Sequence, residues 1–173
     1  MAARMIAEHE AGALAGVYGE IRTSLGLVPN VFKAMAAVNH DVLLQNWTAF
    51  RYTVLEGALP RVLKEMVGLV VSLEEGNDYT LSLCAFGLAS LGVAAGVVRN
   101  LMESGDCPEI SHISRVVLHF ARDYARDPEG TTPEPLEAVG LSDEEAQEVM
   151  DTVLLVTGMN RFAREIGLPA DVA

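Results

Sequence analysis

Positive charge is what this chain is shortest of. Twelve Lys and Arg stand against 24 Asp and Glu in 173 residues, a formal net charge of −12. A surface of that sign repels phosphate backbones and anionic headgroups, which need Lys or Arg to replace their counterions, so nucleic acid is not expected as a partner. Cysteine is scarce too. Two thiols cannot build a disulfide framework, and a chain half hydrophobic by composition fills one core without covalent staples. With no charged-then-apolar leader at its start, the chain is expected in a reducing, cytoplasmic compartment. Metal-ligand spacing is lacking as well. His112 and His119 lie seven apart on one helix face with no third ligand at suggestive spacing, so neither a metal nor a cofactor is expected.

Two further absences set the fold class. No run alternates polar and apolar residues as a half-buried strand would, whereas apolar residues recur at three- and four-residue intervals almost throughout. The expectation is an all-α, single-domain protein over residues 1–173. From Tyr79 to Val98 there is no charge, a length that could span a bilayer, but Gly87, Ser90, Gly92 and Gly96 dilute it and both flanks are acidic. Two helices, broken at Gly92-Val93 and covered by neighbours or by another subunit, describe that run better than a membrane span.

Helix signals are frequent. A first helix from about Arg4 to Leu25 ends at Gly26, Pro29 opens a second over VFKAMAAVN, and Asp41 is placed to cap DVLLQNWTAFRYTVLEG, which stops at Gly57. Pro60 opens the helix running to about Leu73, and Asn77 or Asp78 caps the one carrying Cys84. Then follow GVAAGVVRNLMESG, SHISRVVLHFARDYARD, a polar loop DPEGTTPEP and a terminal helix. Ser142 with Glu145 three positions later forms a capping box for that last helix.

Candidate chemistry gathers on two consecutive helices. Arg61, Glu65, Gly68 and Ser72 form the one polar-to-small stripe on a cylinder of Val62, Leu63, Met66, Val67, Leu69, Val70, Val71 and Leu73. Asn77, Thr80 and Cys84 share a stripe on the next helix. If the stripes face each other, Gly68 and Ser72 let the backbones close and Glu65 points at Thr80 and Cys84. Each residue has a plainer alternative. Glu65 can pair only with Arg61 one turn back, Cys84 can be a small buried hydrophobe, and Asn77 and Thr80 can serve as helix-end residues bonded to nearby backbone. Cys107 in SGDCPE reads as an exposed turn residue, and Glu74, Glu75 and Asp78 as a solvated acidic turn.

The order Glu65, Asn77, Thr80, Cys84 resembles the alkylhydroperoxidase D-like (AhpD-like), or carboxymuconolactone decarboxylase, family. Its redox members carry Glu, then Cys-x-x-Cys, then His four residues after the second Cys. LGLVPNVFKAMA, LEGALPRVLKEMVGLVVS, GNDYT in place of a GCEYC-like loop, and GLSDEEAQEVMDTVLLVTGMNRFA look like its peroxidase-related branch, and the resemblance spans nearly the whole chain. It implies an AhpD-like helical domain, homo-oligomers of two or more subunits, and a thiol pair cycling between dithiol and disulfide. This chain departs at the chemistry: Asn77 and Thr80 stand where the thiols would be, and Cys84 where the His would be. Neither Asn nor Thr replaces a thiolate nucleophile.

Three functions follow. The favoured one is a redox-degenerate binding module with a pocket for a small apolar or carbonyl ligand at Glu65 and Cys84. The others are a peroxidase relying on Cys84 alone, with Glu65 handling the proton, and a lactone or decarboxylation enzyme in which Glu65 does acid-base work.

Overall fold

The computed structural model describes the backbone of residues 2–171 and the side chains of residues 12–171. Among these residues there are nine α-helices and no strand, as the lack of alternation requires. By its contacts the chain divides into two compact units, Met1–Phe50 and Arg51–Ala173.

The first unit holds α1 (Ala2–Leu25), α2 (Asn30–Val38) and α3 (His40–Phe50). Gly26, at φ +83°, ends α1 where a side chain would be strained. An aromatic cluster joins α2 to α3. Phe32 meets Trp47 and Phe50 edge-on, both at 5.6 Å between ring centres, and the indole N–H of Trp47 donates to Glu20 on α1 at 3.2 Å. The start of α3 differs from expectation. Asn39, not Asp41, supplies the capping oxygen, accepting the Asp41 amide at 2.8 Å. Its continuation beyond Phe50 is a π-helical turn over Arg51–Leu55 rather than further α-helix.

The second unit contains α4 (Arg61–Glu74), α5 (Asp78–Ser90), α6 (Ala95–Ser104), α7 (His112–Arg126), α8 (Glu134–Ala138) and α9 (Asp143–Glu165). Helix α4 is its axis, packed by α5, α6, α7 and α9. Every residue from Lys64 to Ser72 is buried, which is what a helix apolar on nearly all sides demands. Pro60 precedes α4, Asn77 caps α5, and Ser142 with Glu145 makes the reciprocal capping box of α9. Helix α8 was not foreseen; it begins inside the stretch read as a polar loop. No helix among the described residues is long and apolar enough to cross a membrane.

Two readings of surface residues are corrected. Glu74 and Glu75 do not form a solvated turn. The Glu74 carboxylate takes hydrogen bonds from Arg122 at 3.3 Å and from Arg126 at 2.8 Å, and the Arg126 hydrogen bond foremost holds its carboxyl below the usual range. Glu75 accepts from Thr157 at 2.6 Å and Asn160 at 2.9 Å, and its carbonyl from Arg164 at 2.7 Å. The end of α4 is thus tied to α7 through one acid and to α9 through the next. Cys107 is likewise no surface residue. It is fully buried in the apolar core of this unit, its Sγ donating to Glu109 at 2.8 Å.

Lys64, 2% exposed, is the most buried charge on α4. Its ammonium donates to the Glu56 carbonyl and pairs with the Glu148 carboxylate from α9. Glu148 also accepts the Ala58 and Leu59 amides, at 2.9 and 3.1 Å, so one carboxylate closes the turn before α4 and clamps it to α9. Removing one partner of such a pair strands the other charge. Glu148→Ala is expected to cost about 3–5 kcal/mol in urea unfolding. The double replacement Lys64→Met with Glu148→Leu should recover most of that loss, because neither charge of the pair is then left buried without the other.

Candidate functional site

Helices α4 and α5 are joined by Glu75, Gly76 and Asn77 alone, and Gly76 reverses the chain at φ +62°. A Cβ built on Gly87 would lie 2.8 Å from the Glu65 carboxylate, and one built on Gly68 would lie 2.8 Å from Cys84 Sγ. As numbers rise along α4 from 65 to 68, the facing positions fall along α5 from 87 to 84, which makes the two helices antiparallel neighbours. The same register sets Thr80 toward Ser72. Each glycine therefore makes room for one functional atom: Gly87 for the carboxylate and Gly68 for the sulfur. The sequence reading gave Gly68 its spacing role but treated Gly87 only as a dilution of an apolar run. Its place three residues after Cys84, on the same helix face, was the available signal.

Glu65 is 6% exposed. Arg61 Nε and Nη2 both donate to Glu65 Oε1 at 3.2 Å, so the pairing and the burial, posed as alternatives, occur together. Burial raises the Glu65 pKa above the ordinary glutamate range; the Arg61 charge and hydrogen bond pull it back in part. Cys84, a free thiol 7% exposed, sits in an apolar setting beside that carboxylate. Burial first, and the negative charge of Glu65 second, push its thiol well above the ordinary value. Both effects disfavour the thiolate.

Asn77 and Thr80 part company. The Asn77 side-chain oxygen accepts the Thr80 amide at 3.0 Å as the N-cap of α5, and its NH2 donates to the Asn160 carbonyl of α9 at 2.8 Å. Its polar atoms are thereby engaged in holding α5 at α9. Thr80 is 1% exposed, and its hydroxyl has no hydrogen-bond partner among the described residues. Ser72, opposite it, is engaged with the Gly68 carbonyl at 2.8 Å and with Asn160 Oδ1 at 3.2 Å. Glu65 thus lies against Gly87 and near Cys84, whereas Thr80, expected to meet it, sits about two helical turns along the seam because the antiparallel register pairs it with Ser72 instead, and Asn77 stands at the end as cap and tie. Sequence reasoning missed Asn160, Lys64 and Glu148. A lysine and a glutamate side by side in so apolar a helix were the cue, since each charge had to find a partner on a different side. Among the described residues, no three His, Cys, Asp or Glu gather as a metal would need.

The raised Glu65 pKa has a testable sign. The native state holds this proton more tightly than the unfolded chain, so stability from this group falls as pH rises above about 4.5. Glu65→Gln lacks that dependence. The stability of the wild type minus that of Glu65→Gln should therefore decline from pH 4.5 toward neutrality in paired urea titrations; a difference that grows with pH would mean that the Arg61 pair outweighs burial.

No family model matches the sequence, and no curated protein matches it. Solved structures do. An uncharacterized peroxidase-related protein from Silicibacter sp. TM1040 superposes with a TM-score of 0.85 at 21% identity, over 93% of this chain and 86% of that one. A cysteine-to-alanine variant of the debrominase Bmp8, in complex with 2,3,4-tribromopyrrole, gives a TM-score of 0.81 at 20% identity over 95% and 88%. The AhpD core of an uncharacterized peroxidase-related protein from Ralstonia eutropha JMP134 gives 0.81 at 21% over 90% and 83%. The all-helical architecture of this chain is the AhpD-like fold of these peroxidase-related proteins, as its sequence resemblance implied.

Proposed function

We propose that this protein is an AhpD-like module that binds a small neutral molecule along the α4–α5 seam and has no dithiol peroxidase chemistry. The observation that carries this reading is the setting of Cys84. It is the one cysteine at the seam, buried and next to an acid, and a nucleophilic thiol needs the opposite surroundings: partial exposure and a nearby positive charge. The same setting weighs against a peroxidase relying on Cys84 alone. The complex of Bmp8 with 2,3,4-tribromopyrrole supports the binding reading, because there a protein of the same fold is found with a small ring compound. It also supplies a probe. A second reading, acid-base chemistry, has one observation in its favour: a buried glutamate with a raised pKa beside a fixed guanidinium is equipped to move a proton.

Assembly is part of the proposal. Leu81, Leu83, Ala85 and Phe86 on α5 are only half-buried by the chain itself, and a second copy would cover them. A dimer or larger species is expected in sedimentation at micromolar concentration, and a monomer there would refute it.

At pH 7.5, neither Cys84 nor Cys107 should react with an aromatic disulfide reagent in the native protein, and both should react after denaturation. With an organic hydroperoxide and a dithiol reductant, no turnover is expected. Turnover abolished by Cys84→Ala would instead establish the single-cysteine peroxidase.

A further inference from the structure

Beyond α9 the chain turns back across the start of α5. Gly167, at φ +61°, leads it out of the helix, and the Leu168 amide donates to the Ala163 carbonyl at 3.0 Å. Pro169 and Ala170 are exposed, and Asp171 is half-buried. There the phenol of Tyr79, in the first turn of α5, donates to the Asp171 carboxylate at 2.6 Å, joining residues 92 positions apart. The segment is thus anchored at both ends and exposed between them. Next to it is open space rather than packed side chains. A cleft of about 210 Å³ is lined by Asn77, Asp78 and Tyr79 at the start of α5 and by Ala163, Arg164 and Leu168 at the end of α9 and beyond it. A segment set against open space lacks the dense apolar contacts that hold α4, so the hydrogen bonds at its ends weigh heavily in keeping it closed.

The seam between α4 and α5 offers no entrance of its own. The Cys84 sulfur against Gly68 and the Glu65 carboxylate against Gly87 close its middle, so a molecule reaches it where a covering element gives way. Helices α6, α7 and α9 are packed on α4. Tyr79 is placed differently: it is 6% exposed, it adjoins Thr80 of the seam, and it borders the cleft. Released from Asp171, its ring can leave by rotation about χ1 with no helix displaced, while the tie from Asn77 to the Asn160 carbonyl keeps the turn before α5 in place. Resting on the binding function proposed above, we infer that residues 167–171 form a strap that governs access to the α4–α5 seam, with the Tyr79 ring as its door and the Tyr79–Asp171 hydrogen bond as its latch. Closed, as in this structure, the strap seals the seam. Lifted, it opens to solvent the flank of α5 that leads to Thr80 and, one turn on, to Cys84.

The test reads the seam from inside, through the Cys84 thiol. The intact protein, Asp171→Ala, Tyr79→Phe and the double variant are treated with an aromatic disulfide reagent at pH 7.5, and labelling of each cysteine is followed by mass spectrometry. Cys84 should be labelled about tenfold faster in either single variant than in the wild type, as the loss of one hydrogen bond to a carboxylate implies. The double variant should be no faster than the singles, because both remove the same bond. Cys107, fully buried in the core, should keep its rate. Exchange of the Leu168 amide, followed by NMR, should quicken by the same factor as Cys84 labelling. Unchanged labelling of Cys84 in both single variants overturns the inference. So does equal acceleration of Cys84 and Cys107, which would mean that the bond stabilises the whole unit. Binding is judged separately, with 2,3,4-tribromopyrrole. Faster association with the latch variants than with the wild type is expected, and equal association overturns the inference while leaving the binding function standing. No binding by any of these proteins overturns the binding function itself, and the labelling still decides on the strap.

Discussion

The constraint on which the second unit depends is that α4 is buried along its middle while carrying two adjacent charges. A helix packed by four others has no solvent-facing side to which Lys64 or Glu65 could turn. Unpaired, either charge would cost several kcal/mol. Neighbouring positions on a helix point about 100° apart, so the two must be answered from different directions. Lys64 is answered by Glu148 of α9 and the turn before α4. Glu65 is answered from its own helix by Arg61, in the space that Gly87 leaves on α5. The first solution is structural and links distant parts of the unit. The second is local and leaves a carboxylate beside a thiol.

The acid shapes the electrostatics of that place. A thiol next to a carboxylate in an apolar seam is held protonated. The contrast with Glu74 is instructive. That acid lies at the open end of α4, between two arginines, and is held ionised. One helix therefore carries two glutamates displaced in opposite directions, by burial in one case and by guanidinium hydrogen bonds in the other. The ionised one fastens α4 to α7. The buried one lies beside the Cys84 thiol.

Much of this was legible in the sequence. Helix starts at Pro29, Pro60, Asn77 and Ser142 were readable because capping is local: the groups that satisfy a helix end lie within a few residues of it. That α4 and α5 pack through Gly68 against Cys84 was readable because residues three and four apart share a face; the register along that face was not, and it sets Glu65 against Gly87 rather than Thr80. The readings that failed depended on partners far away along the chain. Cys107 looks exposed in a turn rich in Gly, Asp and Pro, yet the turn is folded into the core. Glu74 and Glu75 look solvated until α7 and α9 bring up Arg122, Arg126, Thr157 and Asn160, residues about 50 to 85 positions later.

The sequence by itself determined the helical class, the order of the helices and the acidic net charge, because these are properties of composition, short-range spacing and local backbone bonding. Only the tertiary structure decided how Asn77 and Thr80 are used. Asn77 is engaged at both ends of its amide, and Thr80 keeps a hydroxyl with no partner among the described residues, although both were candidates of equal standing on the same stripe. The physical reason is that a side chain's hydrogen-bonding state depends on which acceptors and donors packing brings within about 3 Å of it, and Asn160 reaches Asn77 across 83 residues of chain. No local pattern carries that distance.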